Sequence, residues 1–269
     1  MNSLPFSPGR DAHAVTISRV AENQWHAVEN DLVVGRGHAT RRLDGRTFVS
    51  IDTWRGAVFD RLADAMLADQ SAPLYTVVDE TDRDLAANWE RAGFTSWRRE
   101  RELVVPTDPR ITGLTSTPLP PGVVITTAGE VAEGPLRELD HAIRTEVRAT
   151  VGWQTMPAEV LPWQGGTTPI DPSKYTIAER HDQYVGLVRL ATMTRQPRIG
   201  LIAVRAGERR HGIARALLSQ VLADLHRAGI ETASAEVNET NEAALALFES
   251  LGARRTGSNL ELVHQQGKA

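Results

Sequence analysis

In the second half of the chain, apolar and polar positions alternate with the periods of strands and helices in turn. Val123–Thr127 is a β-branched run and predicts a strand. From Glu130 to Val151, the residues Leu136, Leu139, Ile143 and Val147 return every three or four positions, the period of a helix with one buried face. Trp153–Pro172 breaks the pattern with four prolines and two tryptophans. Tyr175–Glu179 and Tyr184–Ala191 predict a hairpin turning at His181-Asp182. Ile199–Val204 predicts another strand. Ile213, Leu217, Leu218, Val221, Leu222 and Leu225 then mark an amphipathic helix. A strand at Ala233–Val237 follows, and then a helix carrying Ala244, Leu247, Phe248 and Leu251 that stops at Gly252. Leu260–Val263 predicts a closing strand.

The first half repeats the later part of this order. Leu32–Ala39 and Thr47–Ile51 read as strands, Val58 to Met66 as a helix, Leu74–Val78 as a strand and Leu85 to Ala92 as a helix before Gly93. Val78–Phe94 (VDETDRDLAANWERAGF) aligns without gaps to Val237–Ala253 (VNETNEAALALFESLGA), and the match falls at the same strand–helix–glycine order in both halves. Such coincidence points to duplication. Between the halves, Val105–Gly122 is rich in Pro, Thr and Gly, with Pro118, Pro120 and Pro121 excluding regular helix. The expected division is therefore 1–105, a linker at 106–122, and 123–269, in an α/β fold whose two tandem domains are each a twisted mixed sheet flanked by helices.

Composition narrows the chemistry. A net charge of −4 gives no basic surface for nucleic acid. No run of about 18 apolar residues suggests a membrane helix. The absence of cysteine removes disulfides, thiolate zinc sites and cysteine nucleophiles, and no metal is expected. The N-terminus lacks the basic-then-apolar pattern of a signal peptide, so a cytoplasmic location is expected.

The chemistry concentrates in Ile199–Leu222. A strand ends at Val204, a polar loop follows, and Arg209-Arg210-His211-Gly212-Ile213-Ala214 opens the long helix. A helix start offers unpaired N–H groups and a partial positive charge. A glycine there lets an anion approach the backbone, and arginines add donors for phosphate. This segment predicts a phosphate-bearing ligand. The Gly-Lys-Ser/Thr of a P-loop and the three spaced glycines of a dinucleotide fingerprint are both missing.

Arg209-x-x-Gly212-x-Ala214 resembles the Q/R-x-x-G-x-G/A signature of the GNAT superfamily. Val237-Asn238-x-x-Asn241-x-x-Ala244-x-x-Leu247-Phe248-Glu249-x-Leu251-Gly252 is similar to that family's second block. The resemblance covers about residues 123 to 265. It implies acetyl-CoA as acyl donor and an amine on a small molecule, such as an antibiotic or thiol-cofactor precursor, as acceptor. It implies that backbone groups of Ile202, Ala203 and Val204 hold the pantetheine arm and thioester. Arg209, Arg210, His211, Gly212, Ile213, Ala214 and Arg215 would cradle the pyrophosphate, and Asn241 would touch the cofactor while also serving as a helix N-cap. The protein is expected to act as a monomer or homodimer.

Phe248 stands where many relatives have the tyrosine assigned as the acid for the leaving thiolate. A sensor that binds acetyl-CoA without turnover is therefore a competing expectation, as is a protein or peptide N-acetyltransferase. Attack also needs a base. Ser234, Glu236 and Asn238 share one face of their strand, which makes Glu236 the catalytic candidate. Trp153, Met156 and Trp163 fall where relatives build the acceptor pocket. In the first half, Ser50 to Val58 lacks the arginine–glycine spacing, and Asp52, Asp79 and Asp82 are a poor surround for pyrophosphate. Trp54 and Trp89 are expected to crowd that copy's cleft, so it is expected to be degenerate.

Overall fold

Two tight hairpins set the register of the strands. Asn30 and Asp31 take φ of 51° and 61°, and His181 and Asp182 take 52° and 59°. Paired left-handed residues give the turn whose twist matches that of antiparallel strands, and Asn and Asp tolerate that conformation best. The computed structural model describes residues 14–42, 44–70, 73–114, 118–149, 170–191 and 196–265. Contacts divide them into two units. One takes the residues up to Val78, Asp82–Ser96 and those from Leu262 on; the other takes Asp79–Thr81 and Trp97–Glu261. The units interleave along the chain, so Trp97–Pro106, just ahead of the Pro-rich stretch, belongs with the second unit.

In the first unit, β1 (Thr16–Ala21), β2 (Gln24–Glu29), β3 (Leu32–Arg41), β4 (Thr47–Asp52) and β5 (Leu74–Asp79) lie side by side in that order. β4 and β5 run parallel, joined through α1 (Gly56–Ala68), and α2 (Arg83–Arg91) follows β5. Val58, Phe59, Leu62, Ala63 and Met66 are the buried face of α1. Trp89 is 2% exposed, between the rings of Phe59 and Phe94 at centroid distances of 4.9 and 4.7 Å. Trp54 is 88% exposed. The crowding expected of these two tryptophans is thus absent: one is core, and the other points into solvent.

The second unit contains β6 (Thr95–Pro106), α3 (Pro109–Thr112), β7 (Val123–Thr126), α4 (Glu133–Ala149), β8 (Tyr175–Arg180), β9 (Gln183–Ala191), β10 (Arg198–Val204), α5 (Ile213–Arg227), β11 (Thr232–Asn238), α6 (Glu242–Glu249) and β12 (Arg254–His264). The strand order is β12-β6-β11-β10-β9-β8-β7. One face of this sheet packs on α5 and α6, with Leu103, Val105, Ile199, Ala233, Ala235 and Val237 meeting Leu217, Leu218, Leu222 and Phe248. The other face packs on α4, with Tyr175, Ile177, Leu187 and Leu201 meeting Leu136, Leu139, Ile143 and Val147. Each fully buried leucine contributes roughly 1.5–3 kcal/mol. The predicted helix at 130–151 is observed as Glu133–Ala149, and the predicted closing strand is longer, Arg254–His264. β6 follows no apolar alternation in its first half, because Arg98, Arg99, Glu100, Arg101 and Glu102 carry it.

Candidate functional site

The site begins where two parallel strands part. β10 and β11 pair at Arg198↔Ser234 and Ile199↔Ala235. Beyond that, Leu201–Val204 pair with β9. A register shift between Ile199 and Leu201 changes which residues face which helix: Ile199 packs on the α5 side, Leu201 on the α4 side. Bulges of this kind re-aim side chains next to binding sites.

The loop after β10 is anchored from outside. Arg180 Nη1 donates to Glu208 at 2.8 Å. Glu146 on α4 accepts from the Ala206 N–H at 2.7 Å and from Arg205 Nε at 3.4 Å, and lies 3.9 Å from Arg209 Nη2. Arg209 Nε donates to the Val204 carbonyl at 3.2 Å. Arg210 has φ of 67° and Gly212 has φ of 82°. Left-handed residues alternating with right-handed ones turn backbone N–H groups toward a common concavity that suits an anion. Gly212 is needed for its backbone angle rather than for room, since a Cβ there would meet only Pro120 Cγ at 3.6 Å. Gly212 precedes α5 without any side-chain cap. The first hydrogen bond onto its carbonyl comes from the Ala216 N–H, so the donors of Ile213, Ala214 and Arg215 lie ahead of the helical ladder.

These elements enclose a cavity of about 600 Å³. Ile202, Ala203, Val204, Arg209, Arg210, Gly212, Ile213, Ala214, Arg215 and Asn241 line it; His211 does not. The sequence reading missed its other walls: Ile143 and Val147 of α4, Glu208 of the loop, and Ala243, Ala246 and Leu247 of α6. The spacing of Ile143 and Val147 marked a buried face without saying what that face borders. Arg215 donates to Ser250 at 3.0 Å. Asn241 caps α6, its side chain accepting from the Ala244 N–H at 3.1 Å. Phe248 is core, at 2% exposure, so position 248 turns away from the cavity.

Glu236 lies outside the cavity lining. Ser234, Glu236 and Asn238 share a face, as their opposed partners Val104, Glu102 and Glu100 on β6 require, while Ala233, Ala235 and Val237 face α5. Glu236 Oε1 accepts from Arg198 Nη1 at 2.9 Å. Glu100, ion-paired to the buried Arg98, is a neighbour that sequence reasoning did not single out. Burial pushes the Glu100 carboxyl up, Arg98 opposes this, and the nearby Glu236 charge adds to the rise. Trp153, Met156 and Trp163 lie outside the described residues. Among the described residues, no group of His, Asp and Glu is gathered to hold a metal ion, and no helix is long and apolar enough to cross a membrane.

Residues 139–253 match the model of the Acetyltransferase (GNAT) family. The chain belongs to the GNAT superfamily. Solved GNAT structures share the fold. A GCN5-related N-acetyltransferase from Sphaerobacter thermophilus is 16% identical, with a TM-score of 0.61 over 92% of this chain and 82% of that one. A tandem GNAT protein from the clavulanic acid biosynthesis pathway is 17% identical, with a TM-score of 0.63 over 91% and 83%. Over 51 residues, the GNAT domain is also 45% identical to the [ribosomal protein bS18]-alanine N-acetyltransferase of Escherichia coli (strain K12), a stretch covering 19% of this chain and 34% of that protein.

Proposed function

We propose that the protein transfers an acetyl group from acetyl-CoA to the amine of a small molecule. The carrying observation is the cavity that joins the unpaired edge of β10 to the uncapped start of α5. A helix start without a cap, two left-handed residues and three arginines suit a pyrophosphate. The strand edge at Ile202–Val204 suits the amides of pantetheine, which bind there as an added strand would. Asn241 contacts the donor in addition to its capping role.

In this reading the acceptor nitrogen attacks the thioester carbonyl carbon. The N–C bond forms, the C–S bond breaks, and Glu236 takes the ammonium proton directly or through water. The thiolate leaves unprotonated and later takes a proton from water. A thiol pKa of about 8.5 makes it a tolerable leaving group, so Phe248 does not forbid turnover.

A second reading, transfer to a protein N-terminus, is favoured by the local similarity to the ribosomal-protein alanine acetyltransferase. Acetyl-CoA-dependent thiol release separates the readings, measured on small amines and on peptides beginning with alanine. Turnover of a small amine with peptides inert supports the first; the reverse supports the second. Tight acetyl-CoA binding with no turnover on any acceptor supports a sensor.

A further inference from the structure

The sheet face under α4 carries a cation whose acidic neighbours are already engaged. Arg189 on β9 stands directly opposite Tyr175 on β8 and Leu201 on β10. Tyr175, Leu201 and the nearby Leu187 all belong to the α4-side core, so Arg189 projects from that face too. It is half-buried. The acids of this neighbourhood are committed elsewhere: Asp140 holds Arg144 Nε at 2.6 Å, and Asp171 holds Lys174 Nζ at 3.3 Å and the Ser173 hydroxyl at 2.6 Å. Among the described residues Arg189 makes no hydrogen bond or ion pair, and neither does the hydroxyl of Tyr175, a residue 6% exposed. Burial pushes the Tyr175 phenol up, so it stays a neutral O–H donor at any physiological pH.

A guanidinium and a phenol side by side, both unspent, form a donor set for a carboxylate. Withholding water from them without a partner is costly, which is why such groups usually have one. On the other side of β10 the same face carries Glu236 and, beyond it, Glu100. From β9 to β11 is two strand spacings, about 10 Å. The face is therefore anionic at one end and cationic at the other, with Leu201 of the cavity wall between them.

We propose that the acceptor carries a carboxylate several bonds from its reacting amine, and that Arg189 and Tyr175 receive that carboxylate. This rests on the acyl-transfer reading of the same site. The singly charged carboxylate fits better than a phosphate, because Asp140 and Asp171 lie close to Tyr175 and repel a second negative charge.

The test is a series of ω-amino acids from glycine to 6-aminohexanoate, each assayed beside its primary amide, which keeps the shape without the charge. At the best chain length, kcat/KM for the acid should exceed that for the amide by tenfold or more. Arg189→Gln should bring this ratio close to one through KM for the acceptor, leaving KM for acetyl-CoA unchanged, and Arg189→Lys should restore part of it. Tyr175→Phe should lower the ratio severalfold. Amides that match the acids throughout the series, or an unaltered ratio in a folded Arg189→Gln protein, would overturn the proposal. If no member is acetylated, the same pairs are titrated calorimetrically into the CoA-bound protein; absence of acid-selective binding overturns it as well. Failure of the acyl-transfer reading registers separately, as absent binding of acetyl-CoA itself.

Discussion

The turn from β4 to α1 in the first unit and the loop from β10 to α5 in the second start from the same frame and end differently. Both follow a strand whose parallel partnership is brief: Thr47↔Leu74 and Phe48↔Tyr75 in one, Arg198↔Ser234 and Ile199↔Ala235 in the other. Both place a glycine of the preceding strand against the helix. A Cβ on Gly35 would come within 2.9 Å of Val58 and 3.0 Å of Leu62, and one on Gly186 within 3.1 Å of Ile213 and 3.2 Å of Leu217. Both follow with an identically capped helix: Asp82 has φ −84° and ψ 74°, Asn241 has φ −87° and ψ 70°. The difference is confined to the connection. The first unit crosses from Asp52 to Gly56 directly, while the second spends Arg205–Gly212 on a loop with two left-handed residues. In the first unit an ion pair from Arg55 to Glu29 at 2.6 Å lies at the helix start. Duplication preserved the packing, which stability requires, and left the anion loop free to be lost in one copy.

The largest effect that tests this contrast is expected at Glu236, whose aligned position in the first unit is Val77, with nothing to titrate. Glu236→Gln should lower kcat by about 10²–10⁴-fold with acetyl-CoA affinity nearly unchanged. The deficit should shrink as pH rises and more acceptor amine is neutral. A pH–rate profile parallel to that of the parent would remove Glu236 from the mechanism.

Next comes Gly212→Asp, which puts a Cβ at a left-handed angle and a carboxylate at the helix start. Calorimetry should show one acetyl-CoA per parent chain and an affinity lower on the order of a hundredfold in the variant. Gly56→Asp, its counterpart at α1, should leave affinity alone. Two sites per chain in the parent would erase the distinction between the units.

Asn241→Asp imports the cap of the first unit. Its thermal midpoint should stay within about 2 °C, because Asp caps as well as Asn, while acetyl-CoA affinity falls severalfold. Loss of stability without loss of affinity would make Asn241 a cap and nothing more.

The smallest effects come from the shared frame. Gly35→Ala and Gly186→Ala should each cost about 1–3 kcal/mol in urea unfolding, since a methyl must displace packed helix side chains. Only Gly186→Ala should also weaken acetyl-CoA binding, by about twofold, through Ile213. Equal effects of both on binding would tie the first unit to the donor site.

Much of this arrangement was readable in advance, for identifiable reasons. The helix of Ile213 to Leu225 repeats its apolar period cleanly, and the loop ahead of it concentrates glycine and arginine, so element and chemistry coincide. The shared face of Ser234, Glu236 and Asn238 follows from strand period alone. β6 was hidden because its charges face charges on its neighbours: Glu102 accepts from Asn259 at 2.8 Å, and Arg98 pairs with Glu100 and approaches Glu261. Such partners are long-range, and a local window reads them as solvated. The ion pair of Glu236 with Arg198, and the grip of Glu146 on the loop, depend on which strand or helix lies alongside, and no spacing records that. Trp89 and Phe248 misled in the same way, since an aromatic on a short helix gives no sign of whether it faces a cleft or a core.

The register shift between Ile199 and Leu201 limits how β10 can vary. Substitutions there act one side chain at a time. Deletion of a single residue at Gly200 would exchange the two faces for everything downstream, turning Leu201 and Ala203 toward α5 and Ile202 and Val204 toward α4. The strand is thus tolerant of changes in identity and intolerant of changes in length. In a set of random variants, active survivors should carry many replacements between Ile199 and Val204, but no gaps.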